Sequence, residues 1–174
     1  MLTVLGLVAQ LVVAAPVDTP PPTRPRPRVK AVEVSEWYSR RLTLHRRLSY
    51  VSIPLFGFQY AAGTQIWQKG KTAPAWARNG HRVGAAAIAG VFTVNTVTGV
   101  WNLWESRSVS EGRTRRYLHA LSMLAADAGF TYAGAVLSER AETDPQARRQ
   151  HRTIALSSIG LSAVSGVLMK VLNK

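Results

Sequence analysis

Four long apolar stretches constrain this chain more than any other feature of its 174 residues. They cover residues 48–67, 83–104, 118–137 and 153–171. Each is close to the roughly 20 residues that an α-helix needs to cross a bilayer. Three of them carry no charge before their flanks, whereas a helix of a soluble bundle would show charges at helical period along its outer face. The sequence therefore predicts an all-α membrane protein whose core is an up-down four-helix transmembrane bundle.

The net charge of the chain is +13, and the placement of the basic residues indicates their role. They flank the apolar stretches and form no single patch, which favours contact with the lipid bilayer over binding of nucleic acid. The side that holds the N-terminal segment carries 14 Lys and Arg residues, against 8 on the other side. The positive-inside rule then favours a cytoplasmic N-terminal side. We expect a multi-pass protein of a bacterial-type inner (plasma) membrane.

Three segments of different character divide the chain. Residues 1–15 are apolar and resemble a signal peptide or a short N-terminal anchor. Residues 16–34 are a Pro/Arg-rich linker, expected to be an extended or disordered arm because proline fixes φ and removes a donor. Residues 35–174 hold the four-helix transmembrane domain. A cleaved signal peptide would place the linker outside the cell, against the charge rule, so both alternatives for residues 1–15 stay open.

One histidine stands at the start of each apolar stretch, and the chain has no other histidine. Because consecutive spans run in opposite directions, His45 and His119 fall on one membrane side and His81 and His151 on the other. In an up-down bundle, the first and third helices are diagonal, as are the second and fourth. Two histidine pairs at two depths are what two haems with bis-histidine ligation require. The chain has no cysteine, so such haems would be held without the covalent attachment of C-x-x-C-H motifs.

Glycines and arginines recur at fixed positions relative to the histidines. The glycines follow their histidines by 18 residues in the first two stretches and by 15 in the last two: Gly63, Gly99, Gly134 and Gly166. They provide either notches for a flat macrocycle or close contacts between helices. The arginines adjoin the histidines: Arg46, Arg82, Arg116 and Arg152. They either pair with haem propionates or extend to lipid headgroups.

Helix-start signals precede each histidine. Asp144 followed by Pro145 is typical of an N-cap and a first helical residue. Ser35, Thr72 and Ser110 are weaker signals of the same kind. Each histidine should therefore lie about two turns inside its helix, near headgroup depth.

Residues 40–172, with four spans and paired histidines, resemble the two-haem transmembrane cytochromes b, which include the ascorbate-reducible eukaryotic cytochromes and their bacterial relatives. The resemblance implies that His45 and His119 ligate one haem b and that His81 and His151 ligate a second. It also implies electron transfer to or from a redox partner protein or a quinone.

Because bis-histidine ligation leaves the iron no open position, the expected function is that of a b-type di-haem membrane cytochrome. Such a protein transfers electrons across or within the membrane, as an oxidoreductase or as an electron-transfer subunit. The main alternative is a cofactor-free accessory or scaffold subunit of a larger membrane complex. A Cu or Zn site at the histidine pairs and a haem-modifying membrane enzyme are further alternatives.

Other polar residues fall within the spans. Asp127 is costly at mid-span and is either a proton-accepting group or a neutral, hydrogen-bonded acid that locks the helices together. Gln59, Tyr60 and Tyr132 either line a quinone pocket or pack between helices.

Overall fold

The computed structural model of the protein describes residues 34–171. The predicted signal peptide or anchor and nearly all of the Pro/Arg-rich linker lie outside these residues. Within residues 34–171 the elements are helical and no strand occurs, which confirms the all-α prediction. The order is α1 (Glu36–Lys69), a 3-10 turn (Gly70–Thr72), α2 (Ala75–Glu105), α3 (Arg113–Thr131), a π-helical segment (Tyr132–Leu137), α4 (Arg140–Thr143) and α5 (Pro145–Val171).

Two of the predicted helix starts carry side-chain caps. The Ser35 hydroxyl accepts a hydrogen bond from the Tyr38 amide at 3.2 Å, and α1 begins at the next residue. The Asp144 carboxylate accepts from the Gln146 amide at 2.7 Å, just before α5. The start near Ser110 is displaced, because α3 begins after Gly112, whose φ of 63° lies in the left-handed region that favours glycine.

Each histidine lies inside its helix, as predicted from these starts. His45 is the tenth residue of α1, and the other three histidines are the seventh residues of α2, α3 and α5. All four histidines therefore lie about two to three turns after the start of their helices.

Three helical stretches are long and apolar enough to cross a membrane: Ala75–Glu105, Arg113–Leu137 and Pro145–Val171. Helix α1 is longer than any of them, but polar residues such as Ser49, Ser52 and Gln59 lower the hydropathy of its central part. Three candidate spans are therefore found in the described residues, and the fourth predicted span, residues 48–67, stays a prediction.

The helices pack as two hairpins. Helix α1 packs against α2, and α3 with its π-helical continuation packs against α5. Between the hairpins, α2 contacts α3 and α1 contacts α5. This order of neighbours sets α1 across from α3 and α2 across from α5.

The interior between the described helices combines alanines and a few large apolar side chains with small polar residues, while much of the outer surface is apolar. Among residues 34–171, nine polar residues are buried: Ser52, Gln59, Asn95, Thr98, Asn102, Ser106, Ser158, Ser162 and Ser165. Large apolar side chains point outward, with Val97 at 58% and Val167 at 59% exposure. Water would oppose this distribution, whereas lipid accommodates it, because small residues let helices approach closely and apolar side chains face the acyl chains.

We predict that Gly129→Leu lowers the free energy of unfolding by about 1 to 3 kcal/mol, the usual cost of overpacking. A Cβ on Gly129 in α3 would lie 2.1 Å from the Ser158 hydroxyl oxygen and 3.6 Å from Ile154 in α5, so a leucine would separate the two helices. Denaturant titration in detergent micelles, followed by circular dichroism, measures the loss.

The matched control is Gly160→Leu in α5, where a Cβ would meet nothing within 4 Å. This variant should keep the stability of the parent protein. Equal losses in both variants would show that leucine is disfavoured at mid-helix for a reason other than the α3–α5 contact.

Candidate functional site

The four histidines meet in two pairs, one at each end of the helices. The rings of His45 in α1 and His119 in α3 have centroids 6.2 Å apart and an interplanar angle of 78°. The rings of His81 in α2 and His151 in α5 have centroids 6.1 Å apart and an interplanar angle of 62°. Each pair joins one hairpin to the other across a diagonal. The partners in each pair are those predicted from the alternating direction of the helices.

The ring separation is that of rings in edge contact, which spans about 4.5 to 7 Å, and it is also the separation that two imidazoles bound to one metal ion would have. A metal–nitrogen bond is about 2.0 Å, and the nitrogen lies about 1.1 Å from the ring centroid, which gives about 6.2 Å between the centroids. Both observed separations are within about 0.2 Å of this value. The donor set, two imidazoles per site, fits a haem iron whose other four ligands come from the macrocycle.

Two histidines donate from Nδ1 to a main-chain carbonyl of the neighbouring helix. The acceptor of His45 Nδ1 is the carbonyl oxygen of Asn95 at 3.1 Å, and that of His151 Nδ1 is the carbonyl oxygen of Ala133 at 2.9 Å. A carbonyl oxygen only accepts, so these Nδ1 atoms carry the proton and the neutral rings keep the Nε2 lone pair for a metal. This is the usual arrangement behind a metal-binding histidine.

The other two histidines differ from these. His119 Nδ1 lies 2.8 Å from the Ser165 hydroxyl, which can donate or accept. His81 Nδ1 is buried and has no hydrogen-bond partner within the described residues, although the Gln59 amide nitrogen donates to the main-chain oxygen of His81 at 2.9 Å.

All four contacts follow one rule of register. Each histidine, or its main chain, touches the residue that lies 14 positions after the histidine of its hairpin partner. These residues are Gln59, Asn95, Ala133 and Ser165, and all four are buried. Fourteen residues turn a helix to within about 40° of the starting direction, so the contact faces the same interface as the histidine. The four residues at this spacing are of four different types, so no pattern in the sequence marks them.

One of these contacts lies in the π-helical segment. Ala133 belongs to this segment, where hydrogen bonds run from residue i to i+5 and the backbone is wider than in an α-helix. Its carbonyl oxygen accepts from the ring of His151. No local sequence signal marks a π-helix, so this feature depends on the tertiary packing.

A layer of phenylalanines separates the two histidine pairs. Phe56, Phe92 and Phe130 each follow a histidine by 11 residues, and the equivalent residue of α5 is Ser162. Their ring centroids lie 5.0 to 6.0 Å from one another. Eleven residues bring a side chain back to within about 20° of the histidine direction, so the layer faces the same interior.

The predicted glycine notches divide into two kinds. A Cβ on Gly63 would lie 3.5 Å from the ring of His81, and a Cβ on Gly99 would lie 3.2 Å from the ring of His45. These glycines therefore receive the histidine of the hairpin partner. Gly134 and Gly166 face open space, because a Cβ added at either position would meet nothing within 4 Å. Contact of any of the four with a macrocycle stays a prediction.

The four predicted arginines do not gather around the rings. Arg46 is exposed, and Arg82 pairs with Glu142 at 3.3 Å on the surface. Arg152 lies over the ring of Trp67 at 4.7 Å.

Arg116 is engaged in the connector between α2 and α3. Its guanidinium donates to the main-chain oxygens of Ser106, Val109 and Glu111. It therefore holds this connector against the start of α3, a role that its sequence position did not indicate.

The remaining polar candidates are dispersed. Asp127 accepts a hydrogen bond from the Thr96 hydroxyl at 3.0 Å, which links α3 to α2. Gln59 is buried, whereas Tyr60 and Tyr132 are exposed by 56% and 44%. The three residues suggested for a quinone pocket thus differ in surroundings.

Among residues 34–171, no group of three or more histidine, aspartate or glutamate side chains is placed to hold a metal ion, and the chain has no cysteine. The described candidate site therefore consists of the two histidine pairs. Comparisons of the chain with protein-family models, with curated proteins and with solved structures gave no match.

Proposed function

We propose that this protein is a b-type di-haem membrane cytochrome that transfers electrons across or within a bilayer. The observation that carries the proposal is the pair of ring separations, 6.2 and 6.1 Å, between histidines of opposite hairpins. The same kind of contact occurs twice, once at each end of the helices, between histidines that stand at similar positions in their helices.

In this proposal His45 and His119 hold one haem b, and His81 and His151 hold the other. Haem would supply one-electron chemistry, and ligation by two histidines would favour electron transfer over binding of oxygen. Of the four predicted arginines, Arg82, Arg116 and Arg152 have other partners, so propionate pairing in this proposal rests on Arg46, which is exposed beside His45.

The chain's own residues orient the ligands and exclude water. The carbonyls of Asn95 and Ala133 fix the tautomer of His45 and His151, so that each ring presents Nε2. The two pairs are about 27 Å apart along the helices, since Gly63 lies beside His81 and is 18 residues from His45. The phenylalanine layer fills the interior between them with apolar surface.

The proposal includes the membrane topology. With α1 as a fourth span, the helices form an up-down bundle in a bacterial-type inner (plasma) membrane, like that of the two-haem cytochromes b that the sequence resembles. The apolar side chains of its outer surface and the polar residues buried in its interior support this placement. The electron partner is then a redox protein or a quinone.

We predict that the full-length protein, purified in detergent from haem-sufficient cells, binds about two haems per chain and gives b-type bands in a reduced-minus-oxidised spectrum. The stoichiometry is measured by pyridine haemochrome. His119→Leu and His151→Leu should each remove one haem, because each breaks one pair.

Double variants test the pairing itself. His45→Leu with His119→Leu removes both ligands of one site and should leave one haem, whereas His45→Leu with His81→Leu should leave none. Absence of haem from the parent protein would contradict the proposal and favour the cofactor-free accessory subunit. Equal haem content in the two double variants would contradict the pairing.

We further predict that removal of haem lowers the stability of the protein. A ligand that binds only the folded state at 100 times its dissociation constant stabilises by about 2.7 kcal/mol per site. The thermal midpoint of the loaded protein should thus exceed that of the haem-free protein. The His45→Leu, His81→Leu double variant is the control and should show no shift when haemin is added.

A further inference from the structure

We propose that Gln59 is a positioning residue for His81, and that its side-chain oxygen accepts the Nδ1 hydrogen of His81 when that histidine ligates haem. The inference rests on the proposed function and assigns one residue within the His81–His151 site. It starts from two buried polar atoms, Gln59 Oε1 and His81 Nδ1, which both lack a hydrogen-bond partner in the described part of the chain.

The two unpartnered atoms belong to residues that already touch each other. The Gln59 amide nitrogen donates to the main-chain oxygen of His81 at 2.9 Å. Because that oxygen can only accept, the nitrogen end of the amide is assigned, and Oε1 is the free end. Gln59 Oε1 is an acceptor, and His81 Nδ1 is a donor in the tautomer that leaves Nε2 free to bind a metal. Leaving two buried polar atoms unpaired is costly, and joining them removes both penalties.

The register of the hairpins indicates the same partner. At the three other histidines, Nδ1 bonds to the residue that lies 14 positions after the histidine of the hairpin partner. For His81 the equivalent residue is Gln59. A long amide side chain is the group that can both hold the His81 main chain and reach its ring.

Helix α2 makes room for this amide. A Cβ on Gly84 would lie 2.8 Å from Gln59 Nε2 and 3.2 Å from its Cδ, so the amide passes directly against the α2 backbone. Gln59 itself is only 7% exposed. The side chain is therefore seated between the helices and does not sample solvent.

Asn95 provides a matched control, because it occupies the equivalent position in α2. It serves His45 through its main-chain carbonyl, which a substitution keeps, and its side chain donates to Ser49. Gln59→Leu removes the proposed acceptor, whereas Asn95→Leu does not. Any general effect of an apolar residue at this buried position should appear in both variants.

The experiment measures one site at a time in the full chain. Gln59→Leu and Gln59→Glu are made in a His45→Leu background, which keeps the His81–His151 site. Asn95→Leu is made in a His81→Leu background, which keeps the other site. Haemin titration gives the dissociation constant, and a redox titration at pH 7 gives the midpoint potential. Circular dichroism and gel filtration check folding.

Gln59→Leu should weaken haem binding about tenfold or more, the usual effect of losing a hydrogen-bond partner behind a metal ligand, and should raise the midpoint potential. Gln59→Glu should lower the potential below that of the parent, because a carboxylate at Nδ1 makes the imidazole a stronger donor to the metal, and it should also weaken binding, because a carboxylate cannot donate to the His81 main-chain oxygen. Asn95→Leu should change neither quantity at its site.

Similar losses in Gln59→Leu and Asn95→Leu would overturn the inference, as would a rise in potential with Gln59→Glu. If Gln59→Leu does not fold, Gln59→Glu and Gly84→Ala test the inference instead. The alanine Cβ at position 84 should displace the Gln59 amide and so weaken haem binding as Gln59→Leu is expected to do. A parent protein without haem would overturn the proposed function together with this inference, whereas a two-haem parent with unchanged Gln59 variants would overturn this inference alone.

Discussion

The register between antiparallel helices is the constraint on which the rest of the structure depends. In each hairpin, one helix places its histidine against the residue 14 positions after the histidine of the other. The same 14-residue relation holds for both helices of a hairpin. One register therefore places both histidines, one at each end of the hairpin, against their contact residues. Once two such hairpins pack together, their histidines meet across the diagonals without further adjustment. A slip of one residue would turn the histidines by about 100° and separate both pairs.

The buried polar residues add a second constraint, because buried polar groups in an apolar environment must find partners. Some of them find one locally. The hydroxyls of Ser52, Thr98 and Ser162 donate to carbonyls four residues earlier in their own helices. Other polar groups bond between helices, such as Thr96 with Asp127 and Arg41 with Asn102. The described helices are thus held by small-residue packing and a limited number of directional bonds, as is typical of helices that face lipid.

The two histidine pairs are equivalent in spacing but not in surroundings. His45 has a carbonyl and the Thr98 hydroxyl near Nδ1, and His119 has a serine hydroxyl. At the other end, His151 has a carbonyl in a π-helical segment, and His81 Nδ1 has no hydrogen-bond partner within the described residues. Since hydrogen bonding at Nδ1 raises ligand basicity, two haems in these sites would have different potentials. In the proposed cytochrome, a difference of this kind would give electron transfer a preferred direction.

The sequence by itself determined the helical class, because apolar stretches of bilayer length without charges leave few other folds. It also determined that each histidine lies near the start of its helix, because Ser35 and Asp144 are helix caps whose chemistry is local. The membership of the pairs followed from the alternating direction of the helices. The fourth span stays a prediction, since the polar residues of α1 lower its hydropathy below that of the other three helices.

Only the tertiary structure decided which residues lie behind the histidines. Gly63 and Gly99 each receive the histidine of the neighbouring helix, which their spacing did not indicate, because register between helices is set by packing and not by spacing within one helix. Arg116 holds a connector, since its guanidinium lies within reach of three carbonyls that only the folded loop brings together. Local rules fix where a helix begins and which way its side chains point. The depth at which two helices meet depends on contacts between them, which one sequence does not state.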